Sequence, residues 1–177
     1  IGVKESKGET LFFIDGDMEV ETSFLKDVLD EEKQLKYDFV SGVLTAINYD
    51  QQGNFVNEYK YGLKDYNKEQ YFYETGGVFL IKRSVWNSVG GMRNCFKRSQ
   101  DIDLALRLAK TGILLLRKTT AINRHHTIPY LDKKRMWQDL FSKNFLYGNG
   151  LLIRKNIFNF YLYKRLLKHN STFIILV

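Results

Sequence analysis

Short apolar runs alternate along this chain with segments of helical periodicity, and this alternation restricts the fold more than any other feature. Four runs predict strands: Thr10–Ile14, Phe39–Ile47, Gly77–Ile81 and one that starts at Ile113–Leu116. Between them, Asp50–Gly53 predicts a hairpin turn. Four segments predict helices: about Thr22–Leu35, Val85–Val89, Gln100–Lys110 and around Met136–Phe145. The alternation is typical of an α/β fold in which helices flank a mixed sheet.

Two carboxylates follow the first predicted strand, in the tripeptide Asp15-Gly16-Asp17. In an extended segment, residues i and i+2 project to the same side, so Asp15 and Asp17 are expected to point together. Gly16 would let a ligand approach the backbone. Paired hard oxygen ligands at the end of a strand suit Mg²⁺ or Mn²⁺ bridging phosphates. An acidic turn without a ligand is the alternative, because so short a motif is common.

The predicted helix Gln100–Lys110 also begins with two acids, Asp101 and Asp103. They lie about 200° apart around a helix, so they cannot act as one pair. One is expected to face a cleft while the other caps the helix or pairs with Arg107 at i+4. The alternative is that both only complement the helix dipole.

Charge is distributed unevenly along the chain. Residues 1–74 hold 8 Lys/Arg and 16 Asp/Glu, whereas residues 75–177 hold 19 and 4. The excess of positive charge predicts an anionic partner for the second half. Its basic, aromatic-rich segment Leu151–Lys168 is interpreted either as a helix covering the core or as a surface lying on an anionic membrane. Nucleic acid is not a predicted partner, because no known nucleic-acid-binding motif is present.

Four blocks of this sequence carry a family pattern: FIDGD, ETGGVFLIKRSVWNSVGGM, SQDIDLALRLAKTG and the histidines of a following loop. Their letters, order and spacing resemble glycosyltransferase family 2 from about Lys7 to Tyr147. The resemblance implies a GT-A fold, a Rossmann-like mixed sheet flanked by helices that binds a nucleotide-diphosphate sugar. Residues 1–147 would form the C-terminal part of the catalytic domain. Residues 148–177 lie beyond the match, and their charge and aromatic content predict a basic amphipathic segment, truncated and associated with a membrane.

Only 14 residues precede Asp15, whereas family members have several βα units there that bind the nucleotide base. The resemblance therefore implies that the N-terminal nucleotide-binding part is missing. The lack of a Gln-x-x-Arg-Trp motif around Arg135 favours transfer of single sugars over polymer synthesis.

The resemblance also implies roles for matched residues. Asp17 would be the direct ligand of Mn²⁺ or Mg²⁺, and Asp15 would hold the metal or the ribose. One of His125 and His126 would complete the metal site. Asp101 would be the general base. The remaining donor contacts would come from Gly76, Gly77, Gln100 and Arg135.

The implied activity is inverting transfer of a sugar to an acceptor hydroxyl on a saccharide or a lipid-linked molecule. Its expected setting is cell-surface polysaccharide or glycolipid synthesis, in the cytoplasm or on the inner face of the cell membrane. The single cysteine, Cys95, agrees with a reducing compartment.

Two alternatives compete with this hypothesis. Phosphohydrolases of the haloacid dehalogenase type also place Asp-x-Asp after a buried strand, but Met18-Glu19 follows Asp17 where they have glycine. An inactive fragment that acts as a binding module is the second, and the retained Asp15, Asp17 and Asp101 favour an active parent over it.

Overall fold

The computed structural model describes residues 2–127 and 145–169. Seven strands occur in them: β1 Thr10–Phe13, β2 Met18–Val20, β3 Phe39–Tyr49, β4 Phe55–Tyr61, β5 Gln70–Phe72, β6 Phe79–Lys82 and β7 Leu115–Thr127. Six helices accompany them: α1 Gly2–Glu5, α2 Thr22–Val28, α3 Arg83–Ser88, α4 Gln100–Lys110, α5 Phe145–Asn156 and α6 Phe160–His169.

The strands form one mixed sheet in the order β1-β6-β3-β7-β2, with β4 also paired to β3 and β5 also paired to β7. Strands β3 and β7 run parallel, and the other pairs are antiparallel. The predicted α/β class with a mixed sheet and flanking helices is therefore confirmed.

Helices cover both faces of this sheet, which explains why β3 and β6 are buried at nearly every position rather than at alternate ones. On one face, Phe79 and Ile81 pack with Leu104 and Leu108 of α4 and with Trp86 of α3. The other face packs against α2 through a second cluster that includes Phe24, Val28, Val40, Leu80 and Ile122.

The helix predicted at Thr22–Leu35 is shorter than expected. It ends at Val28, and Leu29 is extended and bridges to Leu35. Between them, the Asp30 carboxylate accepts a hydrogen bond from the backbone N–H of Gln34 at 2.7 Å. This local bond offers the backbone an alternative to the helix, and helical periodicity in the sequence does not reveal it.

Other boundaries also differ from the prediction. The short helix expected at Val85–Val89 begins earlier, at Arg83. The strand expected to start at Ile113–Leu116 begins at Leu115 and runs to Thr127, so the two histidines expected in a loop lie at the end of β7. The helix predicted around Met136–Phe145 lies largely outside the described residues.

Helices α5 and α6 pack against α4. Phe96, Leu106, Leu152, Leu162 and Leu166 form this third apolar cluster. Buried Asn159, in the turn between α5 and α6, donates its side-chain N–H to the carbonyl of Leu106 at 2.7 Å. Residues 148–169 therefore cover part of the core, as one of the two interpretations of this segment expected. Within the described ranges, no helix is both long and apolar enough to cross a membrane.

Candidate active site

A cleft of about 370 Å³ opens where β1 ends, and it joins residues that are far apart in the sequence. Asp15 enters it from the end of β1, and Gly77 from the segment before β6. Gln100 and Asp101 enter it from the start of α4. Because β1 and β6 are antiparallel, with Phe13 opposite Phe79, the continued register places Asp15 beside Gly77. The cleft therefore lies at the carboxyl end of β1 but at the amino end of β6, because the two strands are antiparallel.

Gly77 allows this close approach. A Cβ atom at this position would lie 2.7 Å from Oδ2 of Asp15, so a larger residue would displace the carboxylate. Gly76 does not share this constraint, because its own Cβ would meet nothing within 4 Å. Of the two glycines expected to line the sugar pocket, the structure places Gly77 in the wall of the cleft.

Asp101 lies half-buried in the first turn of α4, where it lines the cleft. Burial raises the pKa of its carboxyl group, and the neighbouring charge of Asp15 acts in the same direction. Backbone N–H groups at the helix start and the charge of Arg165 oppose this shift without cancelling it. Asp101 is therefore a stronger proton acceptor than an exposed aspartate.

Gln100 is held by the loop before α4. Its side-chain Nε2 donates to the carbonyl of Phe96 at 2.6 Å. Ser99, the residue before the helix, adopts a left-handed conformation with φ 63°, and its carbonyl accepts from the N–H of Asp103 at 2.9 Å. This tight entry fixes the direction in which the first turn presents Asp101.

Asp103 points the other way, into the protein, and its side chain is 0% exposed. Its Oδ1 accepts hydrogen bonds from Arg93 at 3.0 Å and from Asn156 of α5 at 2.9 Å. Its Oδ2 accepts from Nε of Arg107 at 2.9 Å, the expected i+4 partner. The two acids of α4 therefore divide as the helical spacing predicts, one lining the cleft and one buried.

Asp17 and His125 form a second cluster of candidate ligands. Because β2 and β7 pair with Met18 opposite His125, Nε2 of His125 lies 3.0 Å from Oδ2 of Asp17. The ring of His126 is turned elsewhere, with Nδ1 2.9 Å from the hydroxyl of Tyr49 and Nε2 3.4 Å from Glu19. The structure thus distinguishes the two histidines, which sequence reasoning left open.

Asp15 and Asp17 do not follow the simple extended geometry assumed from their spacing. Gly16 and Asp17 form a turn, so the two-residue alternation of a strand does not apply. Asp15 lies against Gly77, whereas Asp17 contacts His125. Among the described residues, no three acidic, histidine or cysteine side chains form a group that could hold a metal ion.

A carboxylate and an imidazole in contact nevertheless fit a Mn²⁺ site, because both are ligands that this ion accepts. Both side chains are at least partly accessible to solvent. Arg135, the expected basic donor contact, lies outside the described residues.

Sequence reasoning missed the way Glu74 is held. Its carboxylate lies 2.8 Å from Nζ of Lys168, 3.0 Å from Nε2 of His169 and 3.4 Å from Nε of Arg165, all on α6. These contacts anchor the segment that leads through Gly76 to Gly77. Partners more than ninety positions away leave no local pattern, so no signal in the sequence identifies them.

The cleft also has a basic side that was not expected. Lys97 and Arg98 line it from the loop before α4, next to the two acids. A diphosphate is the kind of group that such a pair of cations attracts. Both residues lie in the loop before α4, and helical periodicity in the sequence does not predict the conformation of that loop.

No protein-family model matches this chain. No curated protein matches it either. Among solved structures, it is similar to a crystal structure of GalNAc-T7 with UDP, GalNAc and Mn²⁺, with a TM-score of 0.55 and 14% sequence identity. The match covers 73% of this chain and 29% of that one. At this identity the likeness concerns the fold, and the architecture described above is similar to the GT-A glycosyltransferase fold.

Proposed function

We propose that this protein is a metal-dependent glycosyltransferase that moves a sugar from a nucleotide-diphosphate donor to an acceptor hydroxyl. The observation that carries the proposal is the cleft itself, in which Asp15 and Asp101 face one space beside Gly77. The same fold holds UDP, GalNAc and Mn²⁺ in the crystal structure of GalNAc-T7, which supports a donor of this class.

Asp101 is the proposed general base. An acceptor hydroxyl becomes a better nucleophile when a carboxylate within hydrogen-bond reach takes its proton. Burial raises the pKa of Asp101 and so strengthens it as a proton acceptor, and the negative charge of Asp15 acts in the same direction. Attack on the face opposite the leaving diphosphate would invert the anomeric carbon.

The departing diphosphate needs positive charge, which Lys97 and Arg98 can provide at the wall of the cleft. Asp17 and His125 would hold the metal ion, and Asp15 would contact either the ion or the ribose. When bound, such an ion supplies Lewis-acid stabilisation of the diphosphate. The geometry around Asp17 fits this role because His125 already touches its carboxylate.

We further propose membership in glycosyltransferase family 2, on the strength of the four sequence blocks. Residues 1–147 would then belong to the catalytic domain, and an acceptor on a saccharide or a lipid-linked molecule would suit cell-surface polysaccharide or glycolipid synthesis. The match covers only 29% of the GalNAc-T7 chain. The sugar-transfer activity assigned to this protein is therefore a proposal and does not follow from that likeness alone. The direct experiment measures nucleoside diphosphate released from a panel of nucleotide sugars by the complete gene product.

The effect of Mn²⁺ on donor binding tests whether His125, rather than His126, is a metal ligand. We expect that excess EDTA abolishes sugar transfer and that Mn²⁺ restores it, because the diphosphate leaves poorly without a counter-charge. Asp17→Ala and His125→Ala should lose Mn²⁺-stimulated donor binding in calorimetry. His126→Ala is the matched control and should retain it, since this ring contacts Tyr49 and Glu19 instead. Activity that persists in EDTA, or equal losses in both histidine variants, would contradict the assignment.

The raised pKa of Asp101 gives a stability signature that does not require an assay of transfer. A carboxyl group whose pKa is higher in the folded state stabilises the protein at low pH, and this contribution is lost as pH rises through the folded value. Asp101→Asn should therefore melt at a higher temperature than the wild type at pH 8 and lose that advantage near pH 4. If the difference in melting temperature between the variant and the wild type is the same at pH 4 and pH 8, burial does not raise the pKa of the Asp101 carboxyl group.

A further inference from the structure

The apolar side of helix α6 is wider than its contact with the core, so part of it faces solvent. Its inner face packs Leu162 and Leu166 against the core. Its outer face carries Phe160, Tyr163 and Leu167 at helical spacing, and Phe160 and Leu167 are each 67% exposed. An ordinary surface helix would place polar residues there.

The turn before α6 extends this apolar surface. Ile157 and Phe158 are both exposed, and Phe158 is 88% exposed. With the outer face of α6, they form a patch that we name the aromatic patch: Ile157, Phe158, Phe160, Tyr163 and Leu167. Clustered exposed aromatics of this kind mark a surface that binds a partner.

Charge around the aromatic patch indicates what kind of partner this is. Residues 145–169 contain five Lys/Arg and no Asp/Glu. Arg154, Lys155 and Lys164 are exposed, and the Lys164 ammonium lies 4.8 Å from the centre of the Phe160 ring. A lysine beside an aromatic ring can keep its charge at an interface while its stem lies on apolar surface.

We propose that the aromatic patch and its basic rim bind the surface of an anionic lipid bilayer, with α6 lying in the plane of the interface. Aromatic rings on one side and lysines at the edge are the pattern of an interfacial helix. The inner face remains on α4, so binding does not require the protein to unfold. The proposal is independent of sugar transfer, because the patch does not line the cleft.

Vesicle co-sedimentation tests this proposal. The purified protein should bind vesicles of phosphatidylglycerol and phosphatidylcholine in equal parts, bind pure phosphatidylcholine far less, and be released by high salt. The double substitution Phe158→Ser/Phe160→Ser should weaken binding by on the order of tenfold or more, because two rings no longer enter the interface. Phe55→Ser is the matched control, since Phe55 is 62% exposed on β4, and it should bind like the wild type.

A second variant tests the charge. Arg154→Gln/Lys155→Gln/Lys164→Gln should weaken binding to the anionic vesicles by on the order of a hundredfold, at about fivefold for each basic residue. Circular dichroism checks that both variants remain folded. Equal binding to neutral vesicles, unchanged binding of the double phenylalanine variant, or self-association without lipid that this variant abolishes would overturn the proposal. Binding to duplex DNA in place of vesicles would overturn it too.

Discussion

Asp101→Asn is expected to lower kcat by about 10²–10⁴-fold, the usual contribution of a general base. The substitution preserves the shape of the side chain and removes the proton acceptor. Donor affinity should stay nearly unchanged, because Asp101 acts on the acceptor rather than on the diphosphate. The measurement is steady-state transfer by the complete gene product, combined with calorimetry of donor binding. A parallel loss of kcat and donor affinity would place Asp101 in donor binding instead.

This experiment also separates the failure of the residue assignment from the failure of the proposed function. If the wild type releases nucleoside diphosphate from some sugar donor and Asp101→Asn does so equally well, only the role of Asp101 is wrong. If the wild type acts on no nucleotide sugar in the presence of Mn²⁺, the proposed function itself fails. Asp38→Asn, at an exposed site outside the cleft, serves as the control for the substitution chemistry.

Asp103→Asn is expected to destabilise the fold by about 3–5 kcal/mol, the cost of breaking a buried ion pair by removing one partner. An amide cannot accept from Arg93, Arg107 and Asn156 as the carboxylate does, and the Arg107 guanidinium would stay buried without its counter-charge. For a chain of this length the melting temperature should fall by roughly 6–20 °C. Thermal and urea unfolding monitored by circular dichroism measure the loss.

The matched control here is again Asp38→Asn, which breaks an exposed pair with Lys82. Its loss should stay below about 1 kcal/mol, because solvent screens such pairs. From sequence alone, Asp103 would be worth only about 0.5–1 kcal/mol, as a helix-end charge with one i+4 partner. If both substitutions lower the free energy of unfolding equally, the burial of Asp103 does not increase its contribution to stability.

Much of the fold follows from the sequence because local patterns determine it. The apolar runs became strands as expected, with β6 buried and β1 at the sheet edge burying Leu11, and the period of α4 separates Asp101 from Asp103. The register of β1 against β6 then brings Asp15 to Gly77. These features depend on a few neighbouring residues or on one strand pair.

Other parts of the candidate site depend on distant pairing and could not be predicted. His125 differs from its neighbour His126 only through the register of β7 against β2, which places it on Asp17. The turn at Gly16 redirects Asp17 away from the side that strand geometry implies. Glu74 depends on three side chains of α6, a helix whose position is set by packing on α4.

The contacts of α4 with α5 and α6 also affect folding during synthesis, because these two helices are made later than α4. A ribosome makes α4 before α5 and α6, yet Leu152, Leu162 and Leu166 complete its apolar surroundings. Asn156 likewise completes the bonds of Asp103. Until those later residues emerge, the nascent chain would expose Phe96 and Leu106 and leave a charged group half-paired, the condition in which partly made domains aggregate. Completion of the proposed catalytic helix therefore waits for α5 and α6, and ribosome-bound chains stopped before residue 145 should depend on chaperones most.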